Sequence, residues 1–506
     1  MRKRILIVNC FFDDSHQRIR RSWKIPQAMA PVYLAGAFST RDCEIRLYDE
    51  VSSGALEDES LLSWPDMLVL SGLTNSLDRM LHLTAYARTK NSKVIVVAGG
   101  PAIRALPYFT KPFFDYPCLG DIEELRDVIQ DAWGKAFVSE RMLPRYDLAY
   151  WMRLFACVET SRYCNFHCAF CALTGEKQRY RHYGLDYVQA QFHALGKRSR
   201  VLFIDNNFYG NSRNQFLGRL QQIKGIREAG KLSGWAALVT NDFFLNPENL
   251  RLARDAGCIG LFSGVESFDA QWLRSVHKRQ NTSLPQIKLI SGCLDEGILF
   301  LYGVIMDVAN RRLADLRAEI DFITRTPEIA LPSFLTLPIP LLGTPYFHDC
   351  LARHLLLPET KLRDMDGTTL VLKPLDPIEE VVGFIRQMIG LRGYRANLVR
   401  HSLGFVRRYG ARLNRFQMAT ALGNAALLCA DATVTAPASL LHLRRAARTH
   451  VTTTEKPDEV YHPAFRVAAP YERYFRPTKL TDAKGDLVEA LAADLIPRPE
   501  PKAAAL

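Results

Sequence analysis

Short apolar runs of strand length, each followed by a turn and a helix-length amphipathic stretch, recur from Arg4 to Pro340, and this alternation restricts the chain to parallel-sheet architecture. In the first series the runs span 4–12, 44–49, 67–70, 93–98 and 116–119, with helices predicted at 30–39, 78–89 and 123–133. This is the pattern of a doubly wound, Rossmann-like sheet over residues 1–135. Ligands of such sheets sit at the C-terminal strand edge, so the turns at 71–75 and 99–101 are the first places to look for a site. A linker is expected over 136–152, with Pro144 near its middle. The second series spans 154–160, 201–208, 235–239, 260–267, 300–308 and 334–340, with helices between the runs such as 246–256 and 313–324. Six βα units predict an open, partial (β/α)6 barrel over 153–350. Residues 351–506 are expected to be mainly helical, from 377 to about 448, and to end in a low-complexity tail from Pro497. The fold class is α/β.

At 506 residues, 48% of them hydrophobic, the chain exceeds the ~300 residues at which single cores stop growing, and it needs no staples. The basic start Met1 to Arg4 runs into only four apolar residues, too few for a secretory signal, so a cytoplasmic location is expected. In a reducing compartment the 11 cysteines argue for metal binding or packing rather than disulfides. The most apolar C-terminal stretch, 417–441, is broken by Asn424, Asp431 and Pro437 and does not make a membrane span. A net charge of +12 fits nucleic acid, an anionic membrane surface or acidic substrates.

Cys164, Cys168 and Cys171 stand with three and then two residues between them, just after the run at 154–160. This set points to a [4Fe-4S] cluster rather than zinc, because zinc wants a fourth ligand and His167 lies inside the loop where it does not easily join its neighbours. A cubane held by four thiolates is closed for electron transfer, whereas three leave one iron open to a small-molecule ligand. That open iron argues against the alternative of another class, a non-catalytic Fe-S interaction or electron-transfer protein.

At these residues the chain resembles the radical S-adenosylmethionine (SAM) superfamily, whose motif is this cysteine spacing with an aromatic residue before the last cysteine. Phe170 fills that position. The resemblance extends to 201–208, similar to the second-strand segment near the SAM amine, to 256–267, similar to the fourth-strand segment beside its ribose and carboxylate, and to 337–345, similar to the sixth-strand turn. It implies SAM chelating the open iron, with Phe170, Asp205, Asn206 and Glu266 as candidate SAM-binding residues and Asn207 beside them. Glu266 is expected at the end of a buried strand, where its carboxylate needs a polar partner, either SAM or a salt bridge.

The first domain resembles the cobalamin (B12)-binding domain of one radical SAM class. The matching residues are Ser71 and Thr74, then Gly99, Gly100 and Pro101, then Gly120 to Glu124. The resemblance implies that these turns hold cobalamin, small residues letting a corrin or its nucleotide tail approach the backbone. The axial-histidine signature is incomplete, since Asp14 and His16 lack the following glycine, which implies cobalt without a histidine ligand. The methylthiotransferases, which hold a second cluster ahead of the barrel, are a weaker likeness: Cys10 and Cys43 suit it, but Cys118 falls too late in the chain, and all three are expected to be core thiols.

Seven arginines and no acidic residue lie between Arg392 and Arg415, interleaved with Leu398, Leu403, Phe405, Val406 and Leu413. Such a segment either caps the barrel with a solvated basic face or meets anionic lipid headgroups or an acidic substrate. No recognised RNA module accompanies it, so nucleic acid is not the expected partner. The resemblance implies a cobalamin-dependent C-methyltransferase acting on an unactivated carbon of a small-molecule, lipid or tetrapyrrole substrate, with oxidative cyclisation as a non-methylating alternative. It further implies a reductant such as flavodoxin or ferredoxin; peripheral membrane contact is compatible with the basic segment.

Overall fold

The computed structural model describes residues 2–11, 28–152, 155–367, 369–388, 394–430 and 461–496. The first series forms five strands, β1 (Lys3–Asn9), β2 (Cys43–Asp49), β3 (Met67–Ser71), β4 (Ile95–Gly99) and β5 (Tyr116–Cys118). They pair in parallel in the order β2-β1-β3-β4-β5. Ile5 to Val8 and Met67 to Leu70 are buried because both faces of a doubly wound sheet are covered by helices. In this order the chain reverses direction between β1 and β3, so a crevice opens at their C-terminal ends. Cys43 starts β2 opposite Lys3, whereas Cys10 follows the far end of β1. Seven residues of strand separate the two thiols by roughly 20 Å, which excludes a shared cluster.

The second series forms β6 (Phe155–Val158), β7 (Arg198–Phe203), β8 (Leu232–Leu238), β9 (Cys258–Phe262) and β10 (Leu299–Leu301), parallel and adjacent in chain order. The fifth run does not continue to 308. It breaks at buried Tyr302, whose hydroxyl donates to the Ala330 carbonyl at 2.8 Å. The chain resumes as β11 (Gly303–Ile305), paired in parallel with β12 (Phe334–Thr336). Across the break Glu266 supplies the continuity, its N–H donating to Gly303 and its carbonyl accepting from Ile305. The barrel is thus two sheet segments joined through one residue beyond the end of β9.

Strands β7 and β9 are shorter than their apolar runs predict. β7 stops at Phe203 ahead of Asp205, Asn206 and Asn207, and β9 stops at Phe262 ahead of Gly264 and of Glu266, which adopts φ +60°. Both ends become turns at the barrel mouth. The segment expected as a linker is packed rather than free: Tyr146 and Met152 are buried, and the Tyr146 hydroxyl donates to the Cys157 carbonyl.

Helices Ile378–Met388, Arg395–Tyr409 and Arg415–Ala430 follow the barrel. Gln417 donates to the Ile259 and Gly297 carbonyls and Asn424 to those of Leu331 and Pro332, which seats the last helix near the N-terminal ends of the strands, away from the mouth. Residues 461–496 depart from the expected helical character. Their regular structure is the 3-10 segment Ala469–Phe475 and helix Glu489–Leu495, and they return to the first sheet's helix Leu77–Lys90. The Tyr461 hydroxyl donates to Asp78 at 3.0 Å, and the Ala464 and Ala468 N–H groups donate to Tyr86 and Thr89. Among the described residues no helix is long and apolar enough to cross a membrane.

Candidate active site

The cysteine loop begins where β6 ends. Ser161–Arg162 pairs antiparallel with Arg181–His182, clasping the loop at its base, and Tyr163 at φ +66° turns the chain into it. Cys168 is buried; Cys164 and Cys171 are half-buried. Burial pushes the Cys164 thiol up to about 11 and raises Cys171, while the N–H of Phe166 at the first and of Leu173 and Thr174 at the second pull the other way. Amide donors around thiolate sulfur are what an anionic cluster needs from its surroundings. Gln280 adds a side-chain donor, Nε2 to Cys168 Sγ at 3.3 Å. Among the described residues no three His, Cys, Asp or Glu side chains close on a single-ion site, the three thiols included.

Asp205 anchors the loop. Its carboxylate is fully buried and accepts from the N–H of Thr160 at 2.7 Å, the N–H of Ser161 and the Thr160 hydroxyl at 2.9 Å. Burial raises its pKa to about 6 against the pull of Arg219. Both oxygens are thereby engaged within the protein, and the side chain holds the strand-to-loop junction. Asn207 reaches the loop itself, donating to Asn165 at 2.7 Å, whereas Asn206 is exposed.

A second anchor comes from the first sheet. Arg162 forms a fork with Glu159 at 3.0 and 2.6 Å and also reaches Asp121 at 2.8 Å and Glu123 at 3.2 Å, in the turn after β5. Arg181 binds the same two carboxylates, and the Tyr163 hydroxyl donates to Asp121 at 2.8 Å. On the far side of the loop, Arg104 pairs with Glu176 at 2.6 Å. These contacts fix the C-terminal edge of the first sheet against the cysteine loop.

Glu266 finds its polar partner in Lys278, Nζ to Oε1 at 2.6 Å. Burial disfavours the Lys278 ammonium, but Glu266 and the thiols of Cys168 and Cys171 outweigh it and raise the pKa, so a positive charge is held beside the thiols. That ammonium also lies 5.5 Å from the centre of the Phe170 ring, which stacks on Trp272 at 6.4 Å. Trp272 is fixed in turn by Asp307, Nε1 to Oδ2 at 2.9 Å.

Between the first sheet's C-terminal edge and the helix after Cys171 lies a cavity of about 810 Å³. Thr74, Pro101 and Arg104 line one wall, Gly175 and Glu176 another, and Leu341, Gly343 and His348 from the sixth-strand turn and the helix after it a third. Of the five residues expected at a cobalamin site, Thr74 and Pro101 line it; Ser71 and Gly99, which end β3 and β4, and Gly100 do not. Gly100 serves the protein's own packing: at φ +122°, a Cβ there would stand 2.5 Å from the Gly72 carbonyl oxygen. His348 Nδ1 is buried with no hydrogen-bond partner among the described residues. His16 lies outside the described residues.

Lys278, Gln280, Arg162 and Asn165 were not singled out by sequence reasoning. Arg162 and Asn165 flank Cys164 and carry that adjacency as their only signal, while Lys278 and Gln280 stand more than a hundred residues away.

The fold is thus a cysteine loop at the mouth of an open parallel barrel, tied to the edge of a preceding parallel sheet. The profile of the Radical SAM superfamily matches residues 158–310. The chain is 24% identical over 335 residues to the hopanoid C-2 methylase of Rhodopseudomonas palustris (strain TIE-1), covering 60% of this chain and 62% of that protein. It therefore spans less than two thirds of this relative's length. Its fold matches the radical SAM methyltransferase TsrM from Kitasatospora setae, solved with tryptophan and a SAM analogue, with a TM-score of 0.54, 16% identity and coverage of 74% and 80% of the two chains. It also matches the cobalamin-dependent SAM radical enzyme OxsB, solved with aqua-cobalamin and SAM, with a TM-score of 0.56, 16% identity and coverage of 89% and 76%. Residues 158–310 are thus similar to the Radical SAM superfamily, and the likeness to the two solved structures shows the fold.

Proposed function

We propose that the protein is a cobalamin-dependent radical SAM C-methyltransferase acting on an unactivated carbon of a small-molecule, lipid or tetrapyrrole substrate. The observation that carries this reading is the cavity of about 810 Å³ shared by the C-terminal edge of the first sheet and the helix that follows Cys171. When bound, a [4Fe-4S] cluster with SAM supplies a hydrogen-abstracting radical, and cobalamin supplies a methyl group. Cys164, Cys168 and Cys171 hold the cluster, and Lys278 and Gln280 offset the charge gathered on the thiolates. Phe170, Asn206 and the Glu266–Lys278 pair are the groups offered to SAM, with Asp205 positioning the loop rather than touching the ligand. Thr74, Pro101 and His348 line the cavity that would hold a corrin, while Gly100 lets the backbone of that wall pack closely. The Arg104–Glu176 pair and the Arg162 network keep the cobalamin wall and the cluster loop at a fixed separation. The methylase relative and the methyltransferase fold match support methyl transfer over oxidative cyclisation. A small reductant protein such as flavodoxin or ferredoxin delivers the electron.

The test is anaerobic reconstitution with iron, sulfide and hydroxocobalamin, followed by reduction in the presence of SAM. About four irons per chain, one corrin per chain and 5′-deoxyadenosine release are expected. With a substrate in hand, SAM carrying a deuterated methyl group should pass that label to carbon. Cobalamin failing to bind would overturn the methyl-transfer reading, and a full cluster in the triple Cys→Ala variant would overturn the cluster assignment.

A further inference from the structure

From Val381 to Ala430 the sequence contains eight arginines and no aspartate or glutamate, so a large share of the chain's net charge of +12 is concentrated in 50 residues. The structure arranges part of this stretch as helix Arg395–Tyr409. One face is buried, with Leu398, His401, Phe405 and Tyr409 against the barrel; His401 meets the Ile329 carbonyl and Tyr409 the Glu328 carbonyl. The solvent side carries Val399, Leu403 and Val406, which are 59%, 58% and 39% exposed. Their spacing of four and three residues aligns them as a continuous aliphatic ridge along the helix. At 100° per residue, Arg395 falls on one side of that ridge and Arg400 and Arg407 on the other, all three exposed. Arg408 and Arg412 are drawn inward to Glu328 and Asp295, but among the described residues Arg395, Arg400, Arg407 and Arg415 have no ion pair.

A helix that is already packed on its core face has no folding reason to expose a second apolar stripe flanked by unpaired cations. The arrangement is that of a helix lying in a bilayer interface, aliphatic side chains dipping below the headgroups and arginines meeting phosphates. A second copy of the chain is disfavoured there, since like charges would face each other. Nucleic acid would use aromatic groups for stacking, and the ridge has none.

We propose that helix Arg395–Tyr409, with the turn leading to Arg415, docks the protein on an anionic lipid surface. The inference does not depend on the cofactor reading, because docking requires neither cluster nor corrin, and the face lies away from the cysteine loop. It concerns where the enzyme works, and it fits a substrate that resides in a membrane.

The test is flotation of the full-length protein with phosphatidylcholine vesicles, with and without phosphatidylglycerol. Binding is expected only to the anionic vesicles and is expected to weaken as salt rises. Each arginine removed should weaken it about fivefold, so the double variant Arg400→Gln/Arg407→Gln should lose roughly 25-fold. Leu403→Asp should lose a comparable amount with the cations intact. Both variants change exposed positions, and unaltered near-ultraviolet circular dichroism checks that they fold. Equal binding to neutral and anionic vesicles, absence of binding, or insensitivity to either variant overturns the proposal. So does RNA binding that falls in the arginine variant and persists in Leu403→Asp.

Discussion

Replacing Asp205 by Ala should release the cysteine loop while leaving all three cysteines in place. In the native protein this one carboxylate terminates the N–H groups of Thr160 and Ser161 and the Thr160 hydroxyl, all of them buried. A buried donor left unsatisfied costs about 1 to 3 kcal/mol, so two orphaned amides amount to roughly 2 to 6 kcal/mol of local destabilisation. That corresponds to exchange of the peptide spanning 158–163 accelerating by about 30-fold or more, read by hydrogen-exchange mass spectrometry. Iron retained after anaerobic desalting should fall in parallel. Asp205→Asn keeps an oxygen facing both amides and should change exchange little. It also isolates the carboxylate's titration. A folded-state pKa of about 6 lies above the ordinary value of 3.8, so the native state binds more protons than the unfolded state between these values, and stability falls as pH rises through that window. Wild type should therefore lose about 3 kcal/mol relative to Asp205→Asn between about pH 4 and pH 6, and the difference should be constant above it. Wild-type exchange rates and full iron in Asp205→Ala would refute the anchoring role.

Arg162→Met should cost about 3 to 5 kcal/mol, because it strands buried Glu159 and leaves Asp121 and Glu123 to Arg181 alone; a thermal melt reads the loss, and Arg162→Lys should not restore it, since the fork on Glu159 needs a guanidinium. Lys278→Met should destabilise by a similar amount and shift the reconstituted cluster to a more negative potential in an EPR-monitored titration, and Glu266→Gln added to it should recover much of the stability and part of the potential. Gly100→Ala should impair folding through its clash with the Gly72 carbonyl, whereas Gly99→Ala, whose Cβ meets nothing closer than 3.7 Å, should fold and keep both its iron and its hydroxocobalamin binding measured by absorbance.

Local pattern carried much of this protein. Alternating apolar runs marked two successive parallel series, because a strand buried on both faces writes its hydrophobicity continuously into a few adjacent residues, and twelve of the fourteen strands among the described residues overlap those runs. The same holds for the cysteine loop, whose three thiols fall within eight consecutive positions. Other features were decided by packing between distant segments. Asp205 looks from the sequence like a ligand contact at a strand end and becomes an anchor only when Thr160 comes alongside. Lys278 and Gln280 gain their meaning from thiols more than a hundred residues earlier. The glycine at 100 is needed for another turn of the same sheet, and a mostly apolar run from 300 to 308 is cut at Tyr302, whose hydroxyl donates to the Ala330 carbonyl. Periodicity and spacing are properties of neighbours along the chain and survive without a fold, whereas a buried charge or hydroxyl takes its partner from whatever the completed core brings within hydrogen-bond reach.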